Sequence, residues 1–277
     1  MNFSESLFKE LETKWLGHHV FWKPEVDSTN TWAKQAGKEA LLSGDETLDG
    51  ALFAAGCQTG GKGRFGRVWT SPPGENLYMT LLLFRPRVRP ENASRLTLVM
   101  GLSAAQAANE ILDRYGKRKS AGIKWPNDVV VGGKKICGIL TEMQIKETRA
   151  EYIIIGVGIN INQQVFPEEI RDKATSLGTE AGEKLSLSKV AARTLEYFEK
   201  NYEQFLMTQD LSRLREDYEK LLLNKDRQVR IQEREKEYCA VAKGITDTGE
   251  LVTEDEEGNV KKIFSGEVSV RGLYSYV

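Results

Sequence analysis

Three stretches of the chain concentrate residue types that can handle anions. The first is Gln58-Thr59-Gly60-Gly61-Lys62-Gly63-Arg64-Phe65-Gly66-Arg67-Val68-Trp69, in which cations alternate with glycines and an indole follows. Glycine lets backbone N–H groups approach an anion closely. Lysine and arginine supply charge, and arginine adds forked donors. Trp69 offers a flat face on which a purine can stack, an interaction of ~1–3 kcal/mol. The plain alternative is a mobile basic surface loop, and the loop alone does not decide between the two. The second stretch, Lys124-Trp125-Pro126-Asn127-Asp128, breaks that tie. It gathers a cation, an amide and a carboxylate at the end of an expected strand, and its proline excludes a continuing central ladder, so these groups face a cleft or solvent. The third pairs Lys134-Lys135-Ile136-Cys137-Gly138-Ile139-Leu140 with Gly156-Val157-Gly158-Ile159-Asn160. Small residues there admit close backbone approach, and Asn160 can hold a hydroxyl or a phosphate. A lysine entering a core ordinarily snorkels to water, and Lys134 is read as readily that way.

Two familiar phosphate-binding frames fit the first stretch only in part. Residues 56–63, GCQTGGKG, have the spacing of a P-loop, but Gly63 stands where Ser or Thr must ligate Mg²⁺, and no helix follows. Residues 61–68, GKGRFGRV, fit a kinase glycine-rich loop, yet neither His-Arg-Asp nor Asp-Phe-Gly occurs in the chain. As a dinucleotide fingerprint the same glycines again lack their helix. All three matches are accidental.

The elements that must position these groups read as an α+β domain followed by a small β-barrel. Apolar spacing predicts helices over 4–16, 28–42, 94–115, 186–206 and 208–223, with Ser28 as an N-cap of the second. Buried strands are expected over 51–56 and 77–84, then strands over 129–131, 135–143 and 152–161, with Gly132-Gly133 as a hairpin turn. After Asn224 five short alternating segments, 228–232, 237–243, 250–253, 261–264 and 268–271, are separated by turns, the pattern of a small barrel. The division predicted is 1–223 for the larger domain and 224–277 for the barrel.

Composition narrows the function. Of 277 residues, 39 Lys+Arg oppose 40 Asp+Glu for a net charge of −1, without the basic excess of a general nucleic-acid binder. The longest apolar runs, 77–84 and 152–161, are too short for a bilayer crossing of roughly 20 residues. The acidic N-terminus is unlike a signal peptide, so a cytoplasmic protein without a membrane role is expected. Three scattered cysteines give neither a disulfide framework nor a thiolate metal site. The only histidines, His18 and His19, are adjacent and read as surface residues. The chemistry therefore falls to Lys, Arg, Asp, Asn and backbone amides.

Val26-Asp27-Ser28-Thr29-Asn30, the GGKGRFGRVW loop, KWPNDV, KKICGIL and GVGIN stand in the order and rough spacing of the biotin protein ligases, which the chain resembles over about residues 26–277. The resemblance implies a mixed sheet backed by helices, the class II synthetase-like biotin/lipoate ligase fold, with an SH3-like C-terminal barrel. It implies two steps: biotin and ATP give biotinyl-5′-AMP and pyrophosphate, and a lysine of a biotin carboxyl carrier protein, of acetyl-CoA or pyruvate carboxylase type, then displaces AMP. Carried over position by position, Ser28, Thr29, Asn30 and Gln58 line the biotin pocket, Lys62, Gly63 and Arg64 fold over biotin, and Lys135 touches the carboxylate and phosphate. Trp69 stacks near adenine, while Arg67, Lys124, Asn127, Asp128 and Asn160 surround the ATP phosphates and ribose. Mg²⁺ accompanies ATP near Asp128, with no dedicated metal ligands assigned, and Lys135, Arg64 and Asp128 are the catalytic candidates.

Two residues depart from the family pattern: Lys62 replaces an arginine and loses its fork, and Cys137 replaces an alanine as a small wall residue. Only 27 residues precede Ser28, too few for the winged-helix DNA-binding domain of the bifunctional ligase-repressors, so a monofunctional ligase is expected. The alternatives are a lipoate or octanoate ligase of the sister family and a non-catalytic biotin-binding regulator. The oligomeric state is left open, relatives often forming homodimers through the central sheet.

Overall fold

The structure is a computed structural model that describes residues 3–118, 120–233, 236–265, 268–272 and 276. Its larger part is a seven-stranded sheet of order β1-β2-β3-β7-β6-β5-β4. The strands are β1 (Val20–Val26), β2 (Ala51–Gln58), β3 (Leu77–Phe84), β4 (Ala121–Lys124), β5 (Asp128–Val131), β6 (Lys134–Lys146) and β7 (Arg149–Ile159). Only β1 and β2 run parallel; the other neighbours are antiparallel. Gly132 and Gly133 have φ of 57° and 81°, the left-handed pair that a tight β5–β6 hairpin demands. The helices are α1 (Phe3–Glu10), α2 (Thr29–Ser43), α3 (Leu96–Arg114), α4 (Leu177–Ala181), α5 (Leu187–Thr208) and α6 (Arg215–Leu221). Among the described residues no helix is long and apolar enough to cross a membrane.

Alternation along the central strands decides where the site opens. Leu77, Met79, Leu81 and Leu83 of β3, with Ile153, Ile155, Val157 and Ile159 of β7, face the main core under α3 and α5. On the other face Leu82, Phe84, Tyr152 and Ile154 pack beneath Ala33 and Ala40 of α2. That cover stops short. Beyond it the same face continues as Thr80 and Tyr78 opposite Gly156 and Gly158, and then as Leu140 and Gly138. Glycines at these positions leave an uncovered hollow where larger side chains would fill the layer.

The C-terminal part is a five-stranded antiparallel sheet of order β11-β10-β9-β8-β12. Its strands are β8 (Arg227–Glu233), β9 (Lys236–Ile245), β10 (Leu251–Glu254), β11 (Val260–Ile263) and β12 (Val268–Gly272). Val229, Ile231, Ala240, Ala242 and Leu251 alternate inward, the pattern of a small barrel-type unit. Trp125 reaches this part through Nε1, which donates to the Gly249 carbonyl at 3.0 Å.

Several boundaries differ from the sequence reading. α1 stops at Glu10 rather than at Leu16, because buried Glu199 of α5 claims the next backbone donors: Lys14 N–H at 2.7 Å, Trp15 N–H at 3.0 Å and Leu16 N–H at 3.1 Å. β1 was not anticipated; it is an exposed edge interrupted by Pro24, without an apolar alternation. α4 is a single short turn-length helix capped by Ser176, and α6 starts only at Arg215, after a left-handed Gln209 closes α5. Glu199→Ala leaves three N–H groups, one buried and two partly buried, without their acceptor and is expected to lower stability by roughly 2–4 kcal/mol in urea unfolding, with a smaller loss for Glu199→Gln.

Candidate active site

The hollow is a cavity of about 880 Å³ over the glycine floor, bounded by the start of α2, the glycine-arginine loop and the β4–β5 turn. Of the residues singled out by sequence, Ser28, Thr29, Asn30, Gln58, Lys62, Gly63, Arg64, Arg67, Trp69, Lys124, Asn127, Asp128 and Lys135 all line it. Asn160 does not. Its buried amide donates to the Thr175 carbonyl at 3.1 Å and the Lys135 carbonyl at 3.5 Å, so it braces the backbone that carries Lys135.

At one end the groups offered by α2 and β2 are neutral and polar. Ser28 occupies the N-cap position of α2 in extended conformation, yet its side chain makes no capping bond, which leaves the hydroxyl available to the cavity. Gln58 Oε1 accepts from the Thr29 N–H at 2.9 Å and the Thr29 hydroxyl at 3.2 Å, while Gln58 Nε2 donates to Ser71 Oγ at 2.9 Å. The Lys62 ammonium donates to Thr31 Oγ1 at 2.8 Å and ties the loop to α2.

At the other end the groups are charged. Lys135 Nζ lies 2.6 Å from Asp128 Oδ1, and the Tyr276 hydroxyl donates to Asp128 Oδ2 at 2.5 Å. Lys124, buried in the wall, holds its ammonium 3.5 Å over the Tyr276 ring. Arg64 donates to Asn127 Oδ1 at 3.0 Å and to the Ser265 carbonyl of the C-terminal part. Burial pulls Arg64 below its ordinary arginine value, and the nearby Asp128 opposes that shift.

The loop owes its course to its glycines. A Cβ on Gly61 would meet the Trp69 carbonyl at 2.3 Å, and Gly66 adopts φ +71°. The loop folds back on itself through Gly63 N–H to the Arg67 carbonyl at 2.7 Å and Trp69 N–H to the Gly61 carbonyl at 2.9 Å. The Trp69 indole then lies flat on the floor: a Cβ on Gly138 or Gly158 would stand 2.7 or 2.6 Å from its ring. Trp69 Nε1 is buried with no hydrogen-bond partner, a donor left over for a bound ligand.

Lys135 reaches the cavity because of a bulge. β5 and β6 pair Val129 with Cys137 and then Val130 with Lys135, so Ile136 is the extra residue. Without it Lys135 would fall on the opposite face from Gly138; with it both face the cavity. Among the described residues no group of three or more His, Cys, Asp or Glu side chains is placed to hold a metal ion. Sequence reasoning missed Tyr276 and the barrel-side Val270 at the cavity, and Ser71, Thr80 and Glu142 behind it. The aliphatic hydroxyl of Thr80 in an otherwise apolar stretch of strand was the one local signal among these.

Comparison with known proteins matches residues 23–160 to the biotin/lipoate A/B protein ligase family and residues 226–271 to the biotin protein ligase C terminal domain. The bifunctional ligase/repressor BirA of Bacillus subtilis is 36% identical over 262 residues, covering 94% of this chain and 76% of that protein. The biotin--[acetyl-CoA-carboxylase] ligase of Mycobacterium tuberculosis is 26% identical over 264 residues, covering 94% of both. Among solved structures, the biotin protein ligase from Aquifex aeolicus in complex with biotin and ATP superposes with a TM-score of 0.77 at 30% identity, covering 92% of this chain and 99% of that one.

Proposed function

Because the chain belongs to the biotin/lipoate A/B protein ligase family, we propose that it condenses biotin with ATP to biotinyl-5′-AMP and then biotinylates a lysine of a carboxylase carrier protein. The observation that carries this reading is one cavity with a neutral polar end, a cationic end and a flat indole between them. Ser28, Thr29, Asn30 and Gln58 suit a ring bearing N–H and C=O groups better than an alkyl chain, which favours biotin over lipoate or octanoate.

In the first step a biotin carboxylate oxygen attacks the α-phosphorus, the bond to the β-phosphate breaks, and pyrophosphate leaves. Both reactants are anionic, so fixed cations at the meeting point lower the barrier. Lys135, Arg64 and Lys124 supply that charge, with Arg67 at the mouth, and Lys62 and Gly63 close over biotin. Mg²⁺, which prefers phosphate oxygens plus one or two carboxylates, would be held with ATP by Asp128 and would offset phosphate charge. The purine stacks on Trp69, and Asn127 holds Arg64 in place. In the second step the carrier amine attacks the carbonyl carbon, the bond to AMP breaks, and Asp128 takes the amine proton. The division into a catalytic part, 1–223, and a barrel part, 224–277, assigns all of these groups to the first. The near-neutral net charge supports a role without nucleic acid.

Incubating the protein with ATP, Mg²⁺ and equal biotin, lipoate and octanoate, followed by mass spectrometry, tests the reading. Biotinyl-AMP alone is the expected product. Lipoyl- or octanoyl-AMP would move the protein to the sister specificity, and biotin binding without any adenylate would leave a regulator. Gly158→Ala, whose Cβ collides with the indole, is expected to raise KM for ATP about tenfold in the same assay while leaving KM for biotin nearly unchanged.

A further inference from the structure

Behind the neutral end of the cavity lies a buried hydrogen-bond network that none of the ligand-facing roles accounts for. Thr80, fully buried on β3, donates its one hydroxyl hydrogen to Asn30 Oδ1 at 2.7 Å and holds the same oxygen 2.8 Å from Thr29 Oγ1. Asn30 Nδ2 in turn donates to Glu142 Oε2 at 2.8 Å, and the second Glu142 oxygen pairs with Lys34 of α2. Neither Thr80 nor Glu142 lines the cavity. We propose that Thr80 and Glu142 are positioning residues for the biotin ring: they hold Asn30, Thr29 and, through Thr29, Gln58 in the orientation that receives it. The proposal rests on the biotin-ligase reading above.

The physics leaves the network little freedom. An ionised carboxylate only accepts, so Glu142 fixes which end of the Asn30 amide faces it and turns Oδ1 toward Thr80. Oδ1 sits over Gly156, where a Cβ would approach to 2.0 Å, so the amide keeps this place only because residue 156 is a glycine. The Thr80 hydroxyl is the group that satisfies Oδ1, and the same hydroxyl touches Thr29, whose N–H and hydroxyl both end on Gln58 Oε1. With its oxygen occupied twice and one amide hydrogen on Ser71, Gln58 has a single N–H to offer a ligand carbonyl. Glu142 anchors the start of this chain, Thr80 is its joint, and Gln58 presents the result.

Thr80→Val keeps the shape and removes the joint. It is expected to raise the Kd and KM for biotin about tenfold or more, because Asn30 Oδ1 loses its donor and the Thr29 hydroxyl loses its hydroxyl neighbour. The KM for ATP and kcat at saturating biotin stay within about twofold, and Thr80→Ser, which restores the hydroxyl, returns biotin affinity to within about threefold of wild type. Glu142→Gln, at the half-buried rim and with little risk to folding, is expected to weaken biotin several-fold with the same pattern. A merely structural role would instead lower thermal stability and kcat together without moving biotin KM, and that result overturns the proposal. So do unchanged biotin Kd values in both variants. A wild-type protein that binds no biotin by calorimetry removes the proposed function and this assignment together; wild-type binding with unaffected variants removes the assignment alone.

Discussion

Lys135→Ala is expected to slow formation of biotinyl-AMP by about 10²- to 10³-fold, with biotin binding reduced far less. The lysine is half-buried among the polar groups of the cavity, 2.6 Å from Asp128 and 5.1 Å from the Trp69 ring centroid. Its charge is worth most when carboxylate and α-phosphate are forced together, which is the transition state rather than either ground state. Removing it also strands Asp128 beside a low-dielectric wall without its counter-ion. Lys135→Arg keeps the charge on a wider, planar head, and the floor around it is tight: a Cβ on Gly138 would already lie 3.1 Å from the lysine tip. That variant is therefore expected to recover only part of the rate. Pre-steady-state measurement of adenylate in the absence of carrier is the check. A Lys135→Ala protein that forms adenylate at wild-type rate would transfer the role to Arg64 and Lys124.

The position of Lys135 also shows what the sequence could and could not reveal. Its type and neighbourhood were legible, since two lysines ahead of an apolar run and a following glycine are unusual. Its direction was not, because the bulge at Ile136 is a pairing property of β5 with β6 and leaves no mark on either strand alone. Strong periodic elements such as β3 and α3, and the five short C-terminal strands, were readable from apolar spacing. β1 was not, because an exposed edge strand needs no apolar alternation. The early end of α1 was hidden for a related reason: the groups that compete for its backbone donors, Glu196 and Glu199, lie more than 180 residues away in sequence. At the site, the motif residues other than Asn160 gather as one cavity, whereas Tyr276 joins it, and Thr80 and Glu142 come to lie behind it, only through folding. The glycines at 156 and 158 read as places of close backbone approach, and Gly138 as part of a lysine-led strand. Their common function, emptying one face of the sheet beyond the edge of α2, appears only when β6 and β7 are put in register.

Asp128→Asn is expected to separate the two half-reactions. The substitution preserves size and keeps an acceptor oxygen for the Tyr276 hydroxyl, so the local packing has no reason to change. Adenylate formation needs Lys135 charged and in place, and loss of its 2.6 Å partner is expected to lower that step by no more than about tenfold. Transfer is different. The attacking amine of the carrier must shed a proton, and an amide has no basic oxygen with which to take it, so a loss of about 10²- to 10⁴-fold is expected in that step alone. Preformed biotinyl-AMP mixed with the variant and an isolated carrier domain gives the transfer rate directly. Tyr276→Phe serves as the companion variant: it frees one Asp128 oxygen from its donor without touching the charge, and is expected to leave transfer intact or faster. If Asp128→Asn slows both half-reactions by the same factor, the carboxylate acts by holding Lys135, and the proton must leave by another route.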